Sequence, residues 1–143
     1  MIDEIRDSWG WSGVDPDEIV GINEFGNILV RDRKGAYWRL CPEDVYCKVI
    51  AASSHGFQEL MEDEEFRLDW EMTGLVNKAR ETVGPLKDGH RYCLKIPGVL
   101  GGEYGGENLA SMPLDELIRF SGDLALQIRD LPDGAQISLN VVD

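Results

Sequence analysis

Glu18-Ile19-Val20-Gly21-Ile22-Asn23, Asn27-Ile28-Leu29-Val30-Arg31-Asp32, Ala36-Tyr37-Trp38-Arg39-Leu40 and Val45-Tyr46-Cys47-Lys48-Val49-Ile50 follow one another closely. Only Phe25-Gly26, Lys34-Gly35 and Pro42-Glu43-Asp44 punctuate them. Each run is short and rich in β-branched and aromatic residues, which suit a pleated, half-buried surface. Connections this brief, built on glycine and proline, join neighbouring strands as hairpins. The first half of the chain therefore reads as an antiparallel meander. It begins near Glu18, after an amphipathic opening with Ile2, Ile5 and Trp9 and the turn-rich stretch from Gly10 to Pro16.

Beyond Ala52 the apolar period lengthens. Phe57, Leu60 and Met61 share one helical face, with Ser53 or Ser54 placed to cap its start. Glu62-Asp63-Glu64-Glu65 follows, and then Met72, Leu75, Val76, Ala79 and Val83 recur at helical spacing until Gly84-Pro85 stops the run. His90 to Ile96 is strand-like again and ends at Pro97. The stretch Gly98 to Asn108 is too glycine-rich for a regular element and reads as a loop. Ser111 and Pro113 are expected to open a helix with Leu114, Leu117, Ile118, Ser121, Ala125, Ile128 and Leu131 as its buried stripe. Pro132-Asp133-Gly134 then leads into a last strand, Ala135 to Val142. The expectation is an α+β fold, an antiparallel or mixed five- to six-stranded sheet covered by two to three helices. Residues 1–143 form one domain in this reading, with 1–17 as a lead-in.

Composition narrows the function. With 43% hydrophobic and 29% charged residues among 143, the chain matches ordinary globular usage. No apolar run approaches a bilayer span, and the opening residues lack the basic and apolar regions of a secretory signal, so a cytoplasmic protein is expected. The formal net charge of -13 opposes nucleic acid and anionic membrane and favours a basic partner. Cys41, Cys47 and Cys93 cannot all pair and fall in strand-like segments, as buried free thiols do.

Catalytic and metal patterns are not met. The glycine-rich loop lacks the Gly-Lys-Ser/Thr of a phosphate loop and carries two glutamates. His55 and His90 show no ligand spacing with each other or with the cysteines. No serine sits in a Gly-x-Ser-x-Gly elbow. No enzyme activity, cofactor or metal is expected. The local charge feature that stands out is the acidic run around Glu62, Asp63, Glu64 and Glu65, read either as a solvated face or as a lure for a basic protein surface.

The string Tyr92-Cys93-Leu94-Lys95-Ile96-Pro97-Gly98-Val99-Leu100-Gly101-Gly102-Glu103-Tyr104, with Glu107-Asn108-Leu109 and Gln127-Ile128-Arg129-Asp130-Leu131-Pro132-Asp133-Gly134, resembles the C-terminal domain of type VI secretion DNase-immunity proteins. Phe25-Gly26-Asn27 and Asp32-Arg33-Lys34-Gly35 extend the likeness, which runs from about Glu18 onward. The resemblance implies a non-catalytic protein that neutralises a nuclease-type toxin by stoichiometric binding. A basic toxin or effector domain is then the partner. Glu103, Tyr104, Glu107 and Asn108 on the loop, with Glu62, Asp63, Glu64 and Glu65, are the candidate contact residues. The segment around Trp9-Gly10-Trp11 is a further candidate anchor, set against core packing. A cytosolic regulatory or scaffold module, and a small-molecule-binding protein using loop 98–108, remain the alternatives.

Overall fold

The computed structural model describes residues 1–129. Strands β1 (Pro16–Ile22), β2 (Ile28–Asp32), β3 (Tyr37–Cys41) and β4 (Tyr46–Ala51) form one antiparallel sheet in chain order. Opposite residues fix its two faces. Ile28 faces Leu40 and Val30 faces Trp38 on one side, while Leu29 faces Arg39 and Arg31 faces Tyr37 on the other. At the β2–β3 hairpin, Gly35 takes φ +91°, a left-handed turn conformation that a side chain would resist.

The first face is covered by α1 (Ile2–Trp9) and α5 (Leu114–Ile128). Ile5, Trp9, Ile28, Val30, Leu40, Leu114 and Ile118 form its core. Trp9 is buried and its indole N–H donates to the Ile118 carbonyl at 3.2 Å, so its polar edge is satisfied in the apolar interior. Truncating such a side chain to alanine costs roughly 3–5 kcal/mol. Where α1 and α5 cross, a β-carbon on Gly122 would collide with the Ser8 carbonyl. The opening residues thus do more than lead into the sheet. They close its core.

The second face carries α2 (Ser54–Glu62) and α3 (Glu64–Glu71). Phe57 of α2 stacks on Tyr37 of β3, with ring centroids 4.1 Å apart and planes 8° from parallel. A separate two-stranded antiparallel ribbon, β5 (His90–Leu94) and β6 (Leu109–Pro113), packs with α4 (Thr73–Val83) around Phe25, Val76, Ala79, Tyr92, Leu94 and Leu109. The Tyr92 N–H donates to the Glu24 carbonyl at 2.8 Å, tying this ribbon to the turn between β1 and β2.

The α+β class stands, but the strands divide into sheets of four and two rather than one of five or six. The helices exceed the two or three expected. Ser111 and Pro113, expected to open a helix, instead belong to a strand: residues 109–113 pair with β5 from His90↔Pro113 to Leu94↔Leu109, and α5 starts only after Pro113. Helix α3 falls on the acidic run, where the sequence predicts a solvated face or a lure and marks no separate helix. Only Phe66 and Trp70, one turn apart, mark its inner side, too little to show as a period amid charges. Leu131 and the strand expected at Ala135 to Val142 lie outside the described residues. Among the described residues no helix is long and apolar enough to cross a membrane.

Candidate functional site

The chain leaves β5 after Leu94, and the glycine-rich loop returns it from Pro97 to β6 through two single 3-10 turns, Gly98–Leu100 and Gly106–Asn108. Asn108 braces it from inside. Its side-chain amide donates to the carbonyls of Ile96 (3.0 Å) and Glu103 (2.7 Å), and its oxygen accepts the Ile96 N–H at 2.8 Å. An amide so fully engaged holds the loop's shape and has little left to offer a partner. The loop is also tied to the turn between β3 and β4, since the Gly98 N–H donates to the Glu43 carbonyl at 2.9 Å and the Tyr104 hydroxyl donates to the Asp44 carboxylate. Burial and that carboxylate push the Tyr104 phenol well above its ordinary range. Two glycines are demanded by close approach: a β-carbon on Gly98 would meet the Tyr104 hydroxyl, and one on Gly102 the Ile96 carbonyl.

This bracing has a consequence at the surface. Ile96, Val99 and Tyr104 stand 46%, 58% and 44% exposed on one short, internally bonded loop, with Glu103 and Glu107 also exposed beside them. Exposed apolar side chains on a pre-shaped segment lose little conformational freedom when covered, the property expected of a contact surface.

The acidic run lies at the junction of two helices. Glu62 ends α2, and Asp63 caps α3 by accepting the Phe66 N–H at 3.1 Å. Glu64 and Glu65 occupy the first turn of α3, at the positive end of its dipole. All four are exposed, so Glu62, Glu64 and Glu65 are free to act at a distance while Asp63 also holds the helix end.

Between loop and acidic helices runs a buried polar relay that the residue pattern alone did not disclose. Arg39 of β3, 5% exposed, donates from Nε to the Asn27 side-chain oxygen at 3.0 Å and from Nη1 to Asp69 of α3 at 2.6 Å. Its guanidinium lies 5.3 Å from the Trp70 ring centroid and 5.8 Å from that of Phe66. Asn27 in turn donates from Nδ2 to Glu43 Oε2 at 2.7 Å. Burial pushes the Glu43 carboxyl up. The sequence did hold one signal: strand alternation places Arg39 on the same face as Tyr37 and Cys41, and an inward charge needs partners.

Other candidates resolve more simply. Trp9 is core, and Trp11 is half-buried and stacked on it with centroids 5.8 Å apart, so the Trp9-Gly10-Trp11 segment offers no indole standing free. His55 pairs with Glu59 at 3.0 Å on α2, and His90 faces the Asp88 carbonyl at 3.1 Å. Cys41, Glu43 and Asp44 approach within 4.8 Å of one another, but Asp44 is held by Tyr104 and Cys41, Glu43 by Asn27, and burial drives the Cys41 thiol far from the thiolate a metal would need. Two clefts flank the fold, one beside Trp70 and Arg80 and one beneath the loop, and neither is lined by Glu103, Tyr104 or Asn108.

A four-stranded meander packed on a helix pair thus carries a braced apolar loop and an acidic helical junction at its surface. A family model described as T6SS (type VI secretion system) immunity protein Tdi1, C-terminal, matches residues 51–125, a little over half of the chain. The chain belongs to that family. The match runs from the end of β4 into α5 and contains all eight candidate contact residues. It is narrower than the likeness read from about Glu18, so the Phe25-Gly26-Asn27 and Asp32-Arg33-Lys34-Gly35 segments lie outside it. No curated protein matches the chain.

Proposed function

We propose that this chain is a non-catalytic immunity protein that binds a nuclease-type toxin in the cytoplasm, one to one, and blocks it. The observation that carries this reading is the internally braced loop presenting Ile96, Val99 and Tyr104 to solvent within the family-matched segment. The net charge of -13 supports a basic partner, and a nuclease, built to hold phosphate, presents such a face. In this division of labour Glu62, Glu64 and Glu65 draw the toxin in, and Tyr104 with its apolar neighbours holds it.

The test is capture from a lysate of the source organism with the tagged protein, followed by separation of the catch and assay of each fraction for DNA cleavage. Nuclease activity that is silent in the complex and returns on separation is the expected result. A stoichiometric partner with no nuclease activity would overturn the reading in favour of a regulatory or scaffold module.

A further inference from the structure

The cleft beneath the loop has about 350 Å³ of space, at the small end of the roughly 300–1,000 Å³ of ligand sites, so it suits one long side chain rather than a cofactor. Pro97, Met112, Leu117 and Phe120 contribute apolar wall, contributed by the start of the loop, β6 and α5, and the Pro42–Glu43 turn borders the other side. The acidic residue in its lining is Glu43, only 4% exposed. Among the described residues the Glu43 carboxyl is hydrogen-bonded to Asn27 and Cys41 and has no Lys or Arg within ion-pair distance, the nearby Arg39 being committed to Asn27 and Asp69. Burial holds this carboxyl toward its neutral form, and a cation delivered to it stabilises the ionised form.

We propose that this cleft is a socket for an arginine side chain of the protein partner, with Glu43 as the carboxylate that receives the guanidinium. The inference rests on the immunity reading for the partner's basic character. The aliphatic part of arginine fits apolar walls, and its flat, weakly hydrated head is cheaper to desolvate than an ammonium and can lie against the Phe120 ring. The neighbouring residue agrees in sign, since Asp44 follows Glu43 in the turn. Lys95, also in the lining and exposed, opposes an incoming cation and gives a second handle for the test.

The probe is the blocked tripeptide acetyl-Gly-Arg-Gly-amide, with the norleucine analogue as an uncharged control, titrated into the isotopically labelled full chain and followed by NMR. Saturable shifts at Leu94, Met112 and Phe120 are expected for the arginine peptide, weakened about tenfold in Glu43→Gln, the loss of one charge-assisted hydrogen bond. In case Glu43→Gln unfolds, Lys95→Glu, at an exposed position, is expected to tighten the arginine peptide two- to threefold, roughly the effect of one exposed charge contact. Equal shifts from the norleucine peptide would reduce the cleft to an apolar groove and overturn the proposal. So would an absence of shifts there, or shifts produced by concentrating the protein alone, which mark a second copy as occupant. Because the probe needs no toxin, its failure leaves the capture experiment to judge the immunity reading separately.

Discussion

Asp32 closes the β2–β3 hairpin with one carboxylate. It accepts the Lys34 and Ala36 N–H groups at 2.9 Å each and the Trp38 indole N–H at 2.8 Å. Burial alone would raise its carboxyl, but those hydrogen bonds outweigh burial and hold it below the ordinary carboxylate range. A carboxyl lowered by folding contributes stability above its unfolded value, near 4, and that contribution is lost as pH falls through the folded value. Asp32→Ala is therefore expected to cost roughly 1–3 kcal/mol at pH 7, the range for donors left without an acceptor. The deficit against the native protein shrinks at pH 3, and urea denaturation at the two pH values reads it directly. The cysteines provide a second check. All three are unpaired and buried, and burial lifts Cys47 to about 12 and Cys93 to about 11, with Cys41 higher still. Native protein should react with a disulfide reagent only slowly, and all three thiols should react at once in denaturant; fast labelling of the folded chain would contradict the burial.

At the scale of elements, two helical glycines make a matched pair. Gly122 of α5 lies against the Ser8 carbonyl, whereas Gly74 of α4 has open space around it. Gly122→Ala is expected to lose roughly 1–3 kcal/mol as α1 is pushed away, and Gly74→Ala to gain about 0.5–1 kcal/mol from helix propensity and a less mobile unfolded chain. Thermal melts of the two variants should move in opposite directions. The helices show why some elements were readable and others were not. For α5, Leu114, Leu117, Ile118, Ser121 and Ala125 write a continuous stripe, so its body was plain from residue types. The meander was plain because its turns carry glycine and proline. Helix α3 leans on Asp63, Asp69 and the Arg39 guanidinium, contacts made by polar groups that periodicity ignores. Strand β6 is five residues long, Leu-Ala-Ser-Met-Pro, with weak strand preference; its pairing with β5 imposes the conformation.

On the scale of the whole molecule, the proposed immunity role gives charge and shape separate tasks in binding. Reversing Glu62, Glu64 and Glu65 to lysine, while leaving Asp63 to cap α3, is expected to slow association about tenfold at low salt and far less at high salt. Tyr104→Ala is expected to leave association almost unchanged and to speed dissociation about thirtyfold, the mark of a buried anchor. Surface plasmon resonance against the captured toxin separates the two; a common effect on one rate constant would merge the roles. The loop and the acidic run were legible because each is a contiguous stretch of unusual composition. The relay and the cleft were not, because Asn27, Arg39, Glu43, Asp69, Met112 and Phe120 come from separate turns, strands and helices and meet only after folding. The same distance in sequence governs how the chain is made. Trp9 bonds to Ile118, 109 residues further on, so the packing of α1 is complete only once α5 has been made. Until then one side of Ile5 and Trp9 lacks its apolar cover, the kind of surface that chaperones shield on a growing chain.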